Sequence, residues 1–372
     1  ANAYANTYSF SRIDNTVDVG EDNTDIAIDS EGSLGTCYQD TTNNLLKYAF
    51  YNGDDWTLET ADDDGGSGDN VGEYCAIIFD GDDQPHIAYF NTTDSQVRHA
   101  VKIGDNWIVR VVDNNVGTDF MTFGGNRISM AKDGTGLIGI AYYEAGADDL
   151  IYAEWDGVEW DVVTLENAGT VGRYPSLAYD SNDNAGIAYQ LYINENTASL
   201  MYKRHDGNAW LNAEVVDNRN RSGAYAALAF DVNDVPHIAY RHINAGNLQY
   251  LYYTNKVSGS WQGKELANGG AAGVSAGQYN DMVIGEEGNA HIITRQYAFS
   301  ALFGSVYYMK MYNLYFVDEL PMNKLFALSH NITFSAAPKR HYYGMSVAMD
   351  DQGALAYSGA VENSGDNDNS LY

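Results

Sequence analysis

The sequence predicts an all-β chain: a single seven-bladed β-propeller spanning residues 1–372, with four antiparallel strands in each blade. Three observations lead there. A phrase recurs seven times, the composition suits short strands and tight turns, and the two chain ends together make up one blade.

The phrase is an apolar strand ending in Asp, a short polar turn, and a strand of the type His-Ile-Ala-Tyr. Ile26-Ala27-Ile28-Asp29 leads to Tyr38, and Ile77-Ile78-Phe79-Asp80 leads to His86-Ile87-Ala88-Tyr89. Met130-Ala131-Lys132-Asp133 leads to Tyr142, Leu177-Ala178-Tyr179-Asp180 to Tyr189, and Leu228-Ala229-Phe230-Asp231 to Tyr240. Two degenerate copies follow, Met282-Val283-Ile284-Gly285 before Thr294 and Val347-Ala348-Met349-Asp350 before Tyr357. In the first five copies the Asp-to-Tyr separation is always nine residues, and the tyrosines recur every 47 to 53 residues. That length holds four short strands, the size of a propeller blade.

The third strand carries Tyr48, His99, Tyr152 or Tyr202, and a tryptophan follows eight residues later at Trp56, Trp107, Trp160 or Trp210. The fifth copy reaches Trp261. With 30 Tyr, 37 Gly and only 5 Pro, the chain is rich in strand-forming aromatics and turn formers.

The last copy stops at Leu371-Tyr372, inside its third strand. The N-terminal stretch Tyr8-Ser9-Phe10-Ser11-Arg12-Ile13-Asp14 matches Trp107-Ile108-Val109-Arg110-Val111-Val112-Asp113 in pattern and supplies the missing fourth strand. The expectation is a ring closed by the N-terminal strand completing the C-terminal blade, which hides two sheet edges.

Formal net charge is −31, a field that repels nucleic acid and anionic membranes, so neither is expected as a partner. No apolar run of about 18 residues exists, so no membrane-spanning helix is predicted. The chain begins Ala1-Asn2-Ala3-Tyr4 without Met, the form left by removal of a secretion signal, and a secreted or cell-surface protein is expected. Cys37, on the second strand of blade one, and Cys75, opening the first strand of blade two, have no metal-type spacing. A disulfide across the blade interface and two buried thiols are the alternatives.

Residues common to every blade are explained by folding. The repeat Asp residues and the Asp-Gly-x-x-Trp turns at Asp156 and Asp206 cap tight turns and supply positive φ. Function is expected at the other mouth of the tunnel, where blades differ. Six residues before each repeat Asp stand Asn23, Tyr74, Arg127, Tyr174, Tyr225 and Tyr279, with Tyr343 near that place in the last copy. Just after the second strand stand Gln39, Phe90, Tyr143, Gln190, Arg241 and Arg295. Aromatic faces beside Arg and Gln donors suit a sugar, and Arg draws a carboxylate or sulfate. Tyrosines that plug a narrow tunnel are the competing reading.

Residues 320–341, between blades six and seven, depart furthest from the repeat and concentrate positive charge at Lys324, Lys339, Arg340 and His341, as a lid or a protein-docking surface would. The acidic stretches Asp62–Asp69 and Asn363–Asp368 are candidate Ca²⁺ loops without EF-hand spacing, more simply read as solvated turns. No other cofactor is expected.

The Asp-Gly-x-x-Trp turns resemble the Asp-box repeats of sialidases. Here Asp directly precedes Gly, and the Arg-Ile-Pro motif of that family is absent, so no arginine triad is carried over. The Pro-His-Ile-Ala-Tyr phrases at Pro85 and Pro236 resemble repeats in secreted propeller lectins and propeller-fold polysaccharide lyases. A lyase needs a base, an acid and a carboxylate neutraliser. His242 beside Arg241 offers such types, whereas His86, His237 and His291 share one repeat position and read as packing. No catalytic set is assigned. The leading expectation is a non-enzymatic binding or adhesion module for a glycan or a surface protein, ahead of a structural assembly protein and a glycan-active enzyme.

Overall fold

The computed structural model describes residues 13–14, 19–114, 116–117, 128–268, 274–285, 288–302, 305–317, 330–332, 342–350, 355–362 and 369–371. The first set of strands is Val19–Ile28, Leu34–Asp40, Leu45–Tyr51 and Trp56–Asp62, paired antiparallel in chain order. The second is Val71–Phe79, Pro85–Asn91, Gln96–Ile103 and Asn106–Asn114. The third, fourth, fifth and sixth sets begin at Ile128–Lys132, Thr170–Tyr179, Arg221–Phe230 and Val274–Ile284, each again with four strands. A single parallel bridge, Ala198 to Arg221, joins the fourth and fifth. Among the described residues the chain ends in a three-stranded set, Tyr342–Met349, Leu355–Glu362 and Asn369–Leu371.

The first five sets turn on their repeat Asp. Asp80 Oδ1 accepts from the backbone N–H groups of Asp82 and Gln84 at 2.9 and 2.8 Å, and Asp29, Asp133, Asp180 and Asp231 do the same two and four residues on. The carboxylate satisfies donors that a tight turn would leave unpaired. The same turns fasten neighbours. Asp83, Asp183 and Asp234 sit at φ near 60° and accept from Ser30 N, Gly134 N and Ser181 N in the preceding set.

The recurrent aromatics pack between sets. Trp107 lies edge-on to Tyr48 of the set before it at 5.2 Å, and Trp160, Trp210 and Trp261 meet His99, Tyr152 and Tyr202 in the same way. Such a pair adds about 0.5–1.5 kcal/mol beyond the area it buries. Glu59 accepts from Trp107 Nε1 and Lys102 Nζ, and Glu214 from Trp261 Nε1 and Lys256 Nζ. The repeat tyrosines donate to a carboxylate at the close of the preceding unit: Tyr89 to Asp62, Tyr142 to Asp113 and Tyr240 to Asp217. Cys37 and Cys75, both fully buried, are joined by a disulfide between the first and second sets.

The first strand of every set faces one cavity of about 220 Å³, to which Asp25, Ala76, Ser129, Ser176, Ala227, Asp281 and Ser346 each contribute from a different set. The first and last sets touch directly, Thr24 Oγ1 lying 3.2 Å from Ser358 Oγ.

Candidate functional site at the tyrosine mouth

Four first strands carry a tyrosine six residues before the turn that follows the cavity, at Tyr74, Tyr174, Tyr225 and Tyr279, so these tyrosines and the turns lie about 20 Å apart. A local irregularity sets the tyrosines. Gly72, Gly172, Gly223 and Gly277 have φ between 81° and 95°, and Tyr74, Tyr174, Tyr225 and Tyr279, two residues later, have φ between 50° and 53°. Strand register shifts on both sides of each such segment. Only glycine fits: a Cβ on Gly72, Gly172, Gly223 or Gly277 would come within 2.7 to 3.1 Å of the Cα of Leu46, Leu150, Leu200 or Leu251 in the preceding set. The bulge lets two sheets close tightly and re-aims the tyrosine that follows. A tyrosine at positive φ is strained, and such strain concentrates where side chains are held for binding.

Three of these rings form an arc. Tyr174 and Tyr225 centroids are 4.7 Å apart, and Tyr225 and Tyr279 are 5.0 Å apart. The Arg241 guanidinium lies over the Tyr225 ring, its Cζ 4.6 Å from the centroid. Among the described residues its hydrogen bonding is one 3.5 Å contact from Nη1 to Gln249 Oε1, and its buried Nε has no acceptor. A second arginine, Arg173, stacks on Tyr192 at 3.9 Å and approaches Tyr143 at 5.9 Å.

The structure treats the expected residues unequally. Tyr174, Tyr225, Tyr279 and Arg241 come together. Tyr74 and Phe90 meet edge-on at 6.2 Å, with Phe90 fully buried. Tyr143 is buried and its hydroxyl donates to Asp148; burial, then that hydrogen bond, pushes it up to about 12. The Gln190 amide is committed to Ser222 O at 2.9 Å, and Gln39 likewise to Val71 O at 3.0 Å, so both tie neighbouring sets together. Arg127, the Arg295 side chain and residues 320–329 and 333–341 lie outside the described residues.

Arg173 and Tyr192 were not singled out in the sequence. The signal for them was present: Arg173 lies inside the Gly172-Arg173-Tyr174 bulge, and Tyr192 is two strand positions beyond Gln190, on the same face.

The histidines belong to the framework. His86 Nδ1 lies 2.9 Å from His99 Nε2, and its Nε2 is 3.3 Å from Asp80; His237 bridges Tyr253 and Asp231 equivalently. His242 is buried with Nδ1 2.9 Å from Ser222 Oγ, and burial depresses its pKa. Strand alternation sends it away from Arg241. In the Asp62–Asp69 loop, Arg98 supplies the positive charge, pairing with Asp62, Asp64 and Asp94 at 3.3, 2.5 and 3.1 Å. A hydrogen bond from Ser67, then Arg98, hold Asp64 below its ordinary range.

No protein-family model matches the sequence, and no curated protein matches it. Solved structures do. A polysaccharide lyase of family PL25, an ulvan lyase, superposes with a TM-score of 0.64 at 14% identity, covering 97% of this chain and 95% of that one. A protein of unknown function from Dyadobacter fermentans superposes at 0.54 with 10% identity, covering 97% and 96%. A fungal fucose lectin with a six-bladed β-propeller fold is matched at 0.44, 12% identity, covering 80% and 93%. At these identities the first two likenesses concern the fold alone; the antiparallel sets gathered around one cavity make the described residues all-β and propeller-like.

Proposed function

We propose that this chain is a secreted glycan-binding module that takes an acidic sugar at the tyrosine mouth. The observation that carries the reading is Arg241 laid over Tyr225 within the Tyr174–Tyr225–Tyr279 arc, with most of its donors uncommitted among the described residues. Aromatic faces take the C–H face of a pyranose, and a guanidinium takes a carboxylate or sulfate in bidentate fashion. In a chain of net charge −31, an under-bonded arginine beside a cavity mouth is also where an anion is most selectively drawn. The ulvan lyase that shares the fold has been solved bound to -[GlcA(1-4)Rha3S]-, which favours the same ligand class here.

The reading includes a seven-bladed ring. The hydrogen bond from Tyr38 to Asp14 at 2.7 Å repeats the bonds of Tyr89 to Asp62 and Tyr142 to Asp113. Asp14 thus stands to the first set as the fourth-strand aspartates stand to the second and third. This supports an N-terminal strand that completes the last blade.

A panel of neutral, sulfated and uronic-acid glycans tests the function, with the reaction products examined for each ligand bound. Binding confined to acidic members and reduced about 10–100-fold by Arg241→Ala is expected, the worth of one charged bidentate contact. Binding that Arg241→Ala leaves unchanged refutes the site, and cleavage of the bound glycan would make the protein an enzyme.

A further inference from the structure

At the cavity, polar side chains tie several neighbouring sets together. Ser129 Oγ accepts from Leu177 N at 3.0 Å and Ser176 Oγ from Leu228 N at 2.9 Å. Asp25 Oδ2 accepts from Ile77 N, and Asp281 Oδ2 from Val347 N, both at 2.8 Å. Ser346 lies between the two aspartates, its Oγ 2.5 Å from Asp25 Oδ1 and 2.8 Å from Asp281 Oδ2. A serine hydroxyl has one hydrogen and can satisfy one of these contacts. The other sets two oxygens at hydrogen-bond distance, and a carboxyl group is the neighbour able to supply the second hydrogen.

We propose that the Asp25–Ser346–Asp281 bridge retains one proton, and that this proton locks the first, sixth and seventh sets together. Asp25 donates to Ser346 Oγ, and Ser346 donates to the Asp281 carboxylate. Without the proton, the bridge would hold two negative charges around one hydroxyl hydrogen, and the junction would loosen.

The surroundings agree. Both aspartates are half-buried and line the cavity; loss of hydration there, with the charge of Asp281 beside it, pushes Asp25 up to about 7, and the same loss raises Asp281. On the strands packed against that of Asp25, Asp40 stands opposite Val19, three residues along its strand from Cys37, the partner of Asp25, and Glu73 lies four residues before Ile77, whose N–H Asp25 accepts. On the strand paired with that of Asp281, His291 stands opposite Val283 and Arg295 opposite Gln278, while Ile293 is the partner of Asp281 itself. Described cations therefore do not replace the proton.

The sign follows from linkage. An unfolded Asp releases its proton near pH 4, whereas the folded bridge holds it to about pH 7. The stabilisation is complete below about pH 4 and is lost as pH rises towards 7.

Unfolding midpoints of the wild type and Asp25→Asn, followed from about pH 4 to 9, test this. The wild-type midpoint should fall across that window more steeply than that of Asp25→Asn, whose side chain does not titrate. Infrared spectra of the wild type should show a protonated carboxyl near pH 6 that is lost by about pH 9. Parallel pH profiles, or the absence of that carboxyl band, would overturn the proposal. So would alkaline stability that added Na⁺ or Ca²⁺ restores in the wild type alone, since a cation would then be the bridging charge. If Asp25→Asn does not fold, wild-type unfolding near pH 6 in weak buffer decides: proton release supports the lock and its absence refutes it.

Discussion

Tyr225 holds a backbone conformation that costs free energy, and replacing it in two ways separates that cost from the worth of its ring. Its φ is 53°, inside the left-handed region. A residue with a Cβ pays about 1–2 kcal/mol there, and glycine pays almost nothing. Glycine also loses more freedom on folding, by about 0.4–1 kcal/mol. Tyr225→Gly is therefore expected to be more stable than Tyr225→Ala by about 0.5–1 kcal/mol. Both lose a ring that is 8% exposed, stacked on Tyr174 and Tyr279 and covered by Arg241. Deleting such a buried aromatic costs about 3–5 kcal/mol, so both fall below the wild type. Urea denaturation with a common m value reads the difference. An alanine variant as stable as the glycine variant would mean that the bulge is not strained in solution, and the argument from strain to binding would fail.

Gly223→Ala attacks the same bulge from the other side, combining positive φ with a Cβ 2.8 Å from Leu200 Cα; a loss of about 3 kcal/mol is expected in denaturation, with glycan binding falling alongside. Reducing or deleting the Cys37–Cys75 bond releases a 38-residue separation and should cost about 4 kcal/mol on a chain-entropy basis, measured by unfolding with and without reductant. Glu214→Gln frees Lys256 and Trp261 at a partly exposed seam; a loss of about 1 kcal/mol that shrinks at high salt is expected from parallel melts.

The repeat was the most legible part of the fold. Its period, its Asp turns and its strand boundaries are local features, and they match the described sets closely. The spacing of Tyr48 and Trp56 was legible as a pattern and not as a contact, because Tyr48 packs on Trp107 of the following set. A contact between repeats leaves no mark within one repeat.

The site was legible in part. Counting from each repeat Asp found Tyr174, Tyr225 and Tyr279, since one strand position serves every set. Burial was harder to read. Phe90 and Gln190 occupy the same repeat position as Arg241, yet Phe90 turns into the core and Gln190 is spent on Ser222 O, because side-chain size and polarity decide which way each faces. The cavity aspartates gave no sequence signal, as Asp25 and Asp281 look like ordinary strand polar residues until the sets are brought together.

The central claim is that an acidic glycan binds the Tyr174–Tyr225–Tyr279 arc with its anionic group on Arg241. The most direct test is the structure of this protein soaked with a uronate-bearing oligosaccharide that it binds in solution. The account predicts a pyranose ring against Tyr225 or Tyr279 and a carboxylate within hydrogen-bond reach of Arg241. A ligand seated instead at the Asp-turn face, with the tyrosine mouth unchanged, would contradict it.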